Sequence, residues 1–65
     1  MTKVAIVILN WNGLKNTREC LSSIERLDKK DISLITFVVD NASTDNSASL
    51  LAKEFKEIVI VQNPK

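Results

Sequence analysis

Three short apolar runs, rich in β-branched side chains, constrain the fold of this chain more than any other feature. They cover residues 4–9, 33–39 and 58–61. The first and third runs are unbroken, which is typical of parallel strands whose two faces are both covered. Helical patterns separate the runs. We therefore predict an α/β fold with the order β-α-β-α-β and one three-stranded parallel sheet.

The two segments between the runs have the periodicity of amphipathic helices. Over residues 14–28 apolar side chains recur every three or four positions, at Leu14, Thr17, Cys20 or Leu21, Ile24 and Leu27. We expect Cys20 to lie in the core. Asn16 and Glu19 have the spacing of a capping box, which would start the regular helix slightly later. The second helix is expected to be capped by Ser43 or Asp45, with a buried stripe of Ala48, Leu50 or Leu51, and Phe55.

The handedness of the crossovers limits how these elements are arranged. If both right-handed crossovers step in the same direction, the strand order is 3-2-1 and both helices cover one face of the sheet. The other face is then uncovered, although all three strands are apolar on both faces, and strand 1 becomes an open edge without a charged residue in its apolar run. We expect residues 1–65 to be a single partial domain of a longer protein. Alternatively, the chain forms a homo-oligomer through strand 1 or the uncovered sheet face.

Composition excludes several classes of function. A net charge of +1, with acids and bases interspersed, gives no basic surface for nucleic acid. One cysteine and no histidine exclude an internal disulfide and argue against a structural zinc site. Gly13 is the only glycine, so the dinucleotide fingerprint and the phosphate-binding loop are both missing. We expect a cytoplasmic chain that binds a small molecule but does not catalyse a reaction alone.

Polar side chains follow each predicted strand, at 10–12, 40–41 and 62–63. Because the carboxyl ends of parallel strands share one edge of the sheet, these residues should form a common ligand-binding edge. Trp11 is either a packing residue or an aromatic platform for a flat base. Asp40 either bonds nearby N–H groups or accepts a hydrogen bond from a ligand. We expect Asp45 mainly to cap the second helix.

The chain resembles the start of the family 2 glycosyltransferases over essentially its whole length. Three segments carry the resemblance in the family's order and spacing: 4–12 (VAIVILNWN), 20–24 (CLSSI) and 38–47 (VVDNASTDNS). The opening Asp-Asn of the third segment is similar to the rhamnosyltransferase-like members. The resemblance implies an inverting enzyme of the Rossmann-like GT-A fold, with this chain as its nucleotide-sugar-binding amino-terminal segment.

The resemblance also implies roles for single residues. Trp11 would stack on the nucleotide base, Asp40 would accept from a base ring N–H, and Asn10 would line the nucleoside. Asn41 and Asp45 would lie in the loop beside it. The implied donor is a UDP-, dTDP- or GDP-sugar. The family's metal-binding and catalytic-base residues lie further along, so we expect no catalytic or metal-binding residue here. Mn or Mg, and a place at the inner membrane face, are implied for the complete enzyme.

Two other classes of protein compete with this interpretation. The uncharged run of strand 1 favours a non-catalytic α/β interaction module that oligomerises through its sheet edge. A receiver-like or flavodoxin-like domain is the third hypothesis, because Val38-Val39-Asp40 resembles a strand-end phosphoacceptor. That domain needs acids after strand 1, where this chain has Asn10 and Asn12.

Overall fold

The computed structural model describes residues 2–28 and 30–64 and confirms the α/β architecture. Its elements in chain order are β1 (Thr2–Asn10), α1 (Leu14–Glu25), β2 (Ile32–Asn41), α2 (Ser47–Glu54) and β3 (Ile58–Asn63). The three strands form one parallel sheet with β2 in the centre and β1 and β3 at its edges. Read from the β3 edge, the order is 3-2-1. Neither helix in these two ranges is long and apolar enough to cross a membrane.

Each strand is longer than its apolar run, and the additional residues at its carboxyl end are polar. β1 ends at Asn10, β2 at Asn41 and β3 at Asn63. The backbone ladder extends past the apolar residues because it is held by main-chain hydrogen bonds, which do not depend on the side chain. As a result, polar side chains at this end are held in the register of the sheet.

Helix α1 starts where the periodicity predicts but ends earlier. It begins at Leu14, so Asn16 lies inside the helix, and no side-chain hydrogen bond caps it at Gly13. The predicted capping box is therefore wrong. The helix ends at Glu25, and the N–H groups of Arg26 and Leu27 turn back onto the carbonyls of Ser23 and Ile24. This tighter last turn ends the helix three residues early and leaves Leu27 53% exposed.

Helix α2 is preceded by a residue in the left-handed region, Asn46 at φ 63°. Asp45 accepts a hydrogen bond from the Ser47 N–H at 3.0 Å. It therefore caps the helix from the position before Asn46, which is the N-cap residue. Ser43 is not the cap, because its hydroxyl bonds to Asp40 instead.

The hydrophobic core lies on one face of the sheet only. Its fully packed cluster is Leu21, Val38, Leu51 and Phe55, with Ile8, Leu14, Ile24, Ile58 and Ile60 packed against it. Of the alternatives in the sequence, Leu21 and Leu51 are buried, whereas Cys20 is exposed and the expectation that it lies in the core is wrong. Cys20 and Leu21 point in directions about 100° apart on a helix, so only one can face the sheet.

A bidentate ion pair joins the two helices on their outer side. Arg18 donates to both carboxylate oxygens of Glu54, each at 2.7 Å. The Glu54 hydrogen bond raises the pKa of the Arg18 guanidinium, and the Arg18 hydrogen bond lowers the pKa of the Glu54 carboxyl. Both groups face solvent, so the pair orients the helices more than it stabilises the fold.

The difference between Leu51 and Leu50 provides a test of the one-sided core. Leu51 is 0% exposed and Leu50 is 36% exposed. We expect Leu51→Ala to lower the free energy of unfolding by about 2–5 kcal/mol, which is enough to unfold a domain of this size. Leu50→Ala is the matched control and should cost less than about 1 kcal/mol. Urea unfolding followed by circular dichroism measures both, and equal losses would contradict the assigned helix face.

Candidate functional site

The strand ends and the turns that follow them, residues 10–13, 40–46 and 62–63, form one edge of the sheet, which we call the rim. The parallel register places Asn10 beside Asp40, and Asp40 beside Gln62. Both helices begin at this edge. The rim is thus the position where open α/β sheets bind ligands.

Asp40 is the buried acid of the rim, with 5% of its surface exposed. Its Oδ1 accepts hydrogen bonds from Asn10 Nδ2 at 2.7 Å and from the Ser43 hydroxyl at 2.5 Å. Its Oδ2 accepts only the Ser43 N–H, at 3.3 Å. A carboxylate is stable out of water only when donors surround it, and these three donors meet that need.

The hydrogen bonds also decide the ionisation of Asp40. Burial alone raises the pKa of its carboxyl, and the nearby Asp45 charge acts in the same direction. The bonds from Ser43 and Asn10 favour the charged form more strongly, so the pKa of Asp40 lies below its ordinary value. Asp40 is therefore a carboxylate at neutral pH.

Asn10 holds three elements together from inside the fold, with 1% of its surface exposed. Its Nδ2 donates to Asp40 at 2.7 Å and to the Ser43 hydroxyl at 3.2 Å. Its Oδ1 accepts from the Thr17 hydroxyl on α1 at 2.5 Å. Since both ends of the amide are used within the protein, Asn10 positions Asp40 and does not itself face solvent.

Asn12 joins the turn after β1 to the turn after β2. Its N–H donates to the Ser43 hydroxyl at 2.9 Å, and its Oδ1 accepts from the Thr44 N–H at 2.7 Å. Its backbone is left-handed, with φ 48°, a conformation that asparagine tolerates better than most residues. The sequence places Asn12 on the ligand-binding edge but does not indicate that it contacts Ser43 and Thr44. The Asn-Gly pair after β1 indicates a tight turn, but it does not indicate that this turn bonds to the turn after β2.

Asp45 links the beginnings of both helices. Its Oδ1 accepts from the Ser47 N–H and hydroxyl at the start of α2. Its Oδ2 accepts from the N–H of Leu14, the first residue of α1, at 3.4 Å. The Ser47 hydroxyl contributes most to holding the pKa of Asp45 below its ordinary value. A negative charge here also complements the positive ends of both helix dipoles.

The two remaining predicted residues lie on different sides of the Asn10–Asp40 pair. Trp11 is 70% exposed, so it is not a packing residue. Asn41 lies at the β2–β3 side, where its Oδ1 accepts from Asn63 Nδ2 at 2.9 Å. The fold therefore brings Asn10 and Asp40 into contact and places the exposed indole in the adjoining turn. Asn41 bonds to Asn63 and is not part of the Asn10–Asp40 network.

The rim offers an ionised carboxylate and an aromatic surface, and it lacks the groups of a metal centre. Among residues 2–28 and 30–64 no cluster of three or more acidic, histidine or cysteine side chains lies close enough to hold a metal ion. The carboxylates of Asp40 and Asp45 already accept hydrogen bonds from protein donors. These residues therefore do not fit a Mn or Mg site, which needs oxygen ligands free to bind the ion.

Comparison with known proteins returns no relative of this chain. No protein-family model, no curated protein and no solved structure matches it. The family 2 glycosyltransferase resemblance therefore stays a prediction.

Two asparagines of the rim test whether the buried network stabilises the fold. Asn10→Ala removes three hydrogen bonds. It leaves the Thr17 hydroxyl without its acceptor and the Asp40 carboxylate with one donor fewer. We expect it to lower the free energy of unfolding by about 1–3 kcal/mol or more. Asn41→Ala, which removes one exposed bond, is the control and should change it by about 0.5 kcal/mol. Denaturant melts measure both, and a tolerated Asn10→Ala would contradict the network.

Acid should weaken the fold through Asp40 and Asp45, because their pKa values are lower in the folded chain than in the unfolded chain. The stabilisation they provide is complete above the unfolded-state pKa of about 3.9 and is lost as the pH falls towards the folded-state values. Asp40→Asn should be less stable than wild type at pH 7 and should lose less stability between pH 6 and pH 3. Urea melts across this range measure the difference. An equal loss in both proteins would show that Asp40 does not carry the effect.

Proposed function

We propose that this chain is the nucleoside-binding segment of a family 2 glycosyltransferase with a Rossmann-like GT-A fold. The enzyme would transfer a sugar from a nucleotide-sugar donor to an acceptor hydroxyl, with inversion at the anomeric carbon. The observation that best supports this proposal is an exposed Trp11 in the turn that directly follows the buried Asn10–Asp40 pair. A flat base needs one aromatic face and one fixed hydrogen-bonding group, and the rim has both.

Within this proposal, Trp11 is the stacking surface and Asp40 is the acceptor for a ring N–H. Oδ2 of Asp40 is the suitable oxygen, because it accepts only one bond of 3.3 Å from the protein. Asn10 acts by orienting Asp40, since its own amide is fully engaged. Asp45 orders the loop and helix starts around the nucleoside, and Asn41 lines the β3 side.

The backbone conformation of the rim also supports the proposal of a binding site. Among residues 2–28 and 30–64, three non-glycine residues have a positive φ, namely Asn12 at 48°, Ala42 at 54° and Asn46 at 63°, and all three lie in the turns of this edge. Ala42 has no side chain that could stabilise a left-handed backbone, so its conformation costs about 1–2 kcal/mol. Strain of this kind persists where the surrounding structure holds a functional arrangement in place.

The proposed role of the chain ends at donor binding. In the complete enzyme the acceptor hydroxyl would attack the anomeric carbon, the bond from that carbon to the nucleoside diphosphate would break, and a general base would take the hydroxyl proton. Mn or Mg would stabilise the leaving diphosphate. Among the described residues no group of acidic, histidine or cysteine side chains could hold this metal. We place such an enzyme in the cytoplasm, at the inner membrane face.

Nucleotide-sugar binding to this chain tests the proposal directly. Addition of a UDP-, dTDP- or GDP-sugar should shift the amide resonances of the rim in a ¹H–¹⁵N NMR titration, and one of the three should bind most tightly. Trp11→Leu should raise its dissociation constant roughly 5- to 150-fold, the range for losing one base–aromatic stack. Trp11→Phe is the matched control, because it keeps an aromatic face, and should bind within a few-fold of wild type.

A second variant separates the roles of the two groups. Asp40→Asn should weaken binding of the same nucleotide-sugar while its far-UV circular dichroism at 10 °C stays that of a folded α/β chain. If none of the three donors shifts the rim resonances, or if Trp11→Leu binds as wild type does, the nucleoside site is not in this rim.

The uncharged edge of β1 favours a second candidate function, a non-catalytic module that pairs sheet edges. From Val4 to Asn10 the edge strand has no charged side chain to discourage another strand. Such a module would bind no nucleotide-sugar. It would instead show slower hydrogen exchange of the β1 amides as its concentration rises, because edge pairing occupies their free N–H groups.

A further inference from the structure

Among the described residues, five of the nine large hydrophobic side chains that are exposed lie on the face of the sheet opposite the helices. Side chains alternate along a strand, so the residues that do not point towards α1 and α2 share this face. The exposed fractions agree, at 61% for Val7, 71% for Leu9 and 46% for Ile35. We call it the open face, and it consists of the odd-numbered residues of β1 from Lys3 to Leu9, those of β2 from Ser33 to Val39, and Val59 and Val61 of β3.

The register of the sheet arranges the open face in rows that cross the strands. One row is Val7, Phe37 and Val59, and the next is Leu9, Val39 and Val61. Ala5 and Ile35 form a third, shorter row. None of these three rows contains a charged or hydrogen-bonding side chain. The one charged residue of the face, Lys3, lies opposite Ser33 at its outer end.

The accessible area of the chain shows how much surface is left uncovered. It is 4760 Å² for a chain of 7.3 kDa. A compact monomer of that mass exposes about 4,200 Å². The excess of roughly 600 Å² over this expectation approaches the area of about 800 Å² that each partner buries in a stable complex. The excess is about three quarters of the area that one partner buries in a stable complex.

We propose that the open face packs against the open face of a second copy of this chain. The product is a two-sheet sandwich with the helices on its two outer sides. Two aligned sheets pack about 10 Å apart with interdigitated side chains, which suits rows of valine, leucine, isoleucine and phenylalanine. This association goes beyond nucleotide binding and does not depend on it.

A second copy fits this face better than a charged partner does. A two-fold interface brings the same patch to both sides, so the patch must not repel itself. The three apolar rows carry no charge, and Lys3 lies outside them. Phe37 stands on the central strand in the middle row, so a two-fold arrangement centred on the face brings it to the middle of the interface. A large aromatic side chain at the centre is typical of an energetic hot spot.

Sedimentation equilibrium between about 1 and 200 µM tests this proposal, a range that covers the affinities of modest interfaces. The mass should rise to twice 7.3 kDa. Val7→Lys should raise the dimer dissociation constant at least about 30-fold, because it buries an unpaired charge in each copy. Leu27→Lys is the matched control: Leu27 is 53% exposed but follows α1, outside the open face. It should dimerise as wild type does.

The contacts between the two copies can also be measured in the wild-type chain by NMR. In a mixture of ¹³C-labelled and unlabelled chains, isotope-filtered NOEs should connect the Phe37 ring of one copy with methyl groups of Val7 or Val59 of the other. This measurement decides the matter if Val7→Lys fails to fold. A monomer over the whole range, a folded Val7→Lys dimer of unchanged affinity, or intermolecular contacts confined to the β1 edge would each overturn the proposal.

Discussion

The hydrogen bond between Asn10 and Asp40 is the interaction on which the functional edge of this chain depends. It joins the ends of two adjacent parallel strands at 2.7 Å inside the fold. Through Thr17 and Ser43 it extends to α1 and to the turn after β2. A buried carboxylate requires these donors, and the turns take up the conformations that supply them. The shape of the candidate site therefore follows from the need to solvate one charge.

The same sheet is packed on one side and bare on the other. Val38 on the helix side of β2 is fully buried, while Val7 and Leu9 on the opposite side of β1 remain exposed. A small domain with one covered face has little apolar burial with which to offset the entropy of ordering its chain. Stability and association are thus linked in this chain, because any molecule that covers the open face also stabilises the fold.

Much of the architecture could be predicted, and the errors have identifiable causes. The parallel sheet follows from the apolar runs, and the face pattern of α2 narrows its core residue to Leu50 or Leu51. Helical periodicity alone did not distinguish Cys20 from Leu21, because the two flank the same stripe and only the angle of the helix on the sheet selects Leu21. The capping box was wrong because α1 begins at Leu14, which places Asn16 inside the helix. The N–H of Leu14 bonds to Asp45, which is distant in sequence. Nucleotide binding by the rim stays a proposal.

The sequence by itself determined the order of the elements, the parallel sheet and the edge where polar residues gather. These depend on hydropathy and on the spacing of residues close together in the chain. Only the tertiary structure decided how the polar residues differ from one another: Asn10 is buried, Trp11 is exposed, and Asn41 pairs with Asn63 instead of with Asp40. The reason is that burial and hydrogen-bond partners arise from residues 22 to 33 positions apart, such as Asn10 and Asp40 at a separation of 30. A local sequence pattern therefore does not predict which of these distant residues form hydrogen bonds.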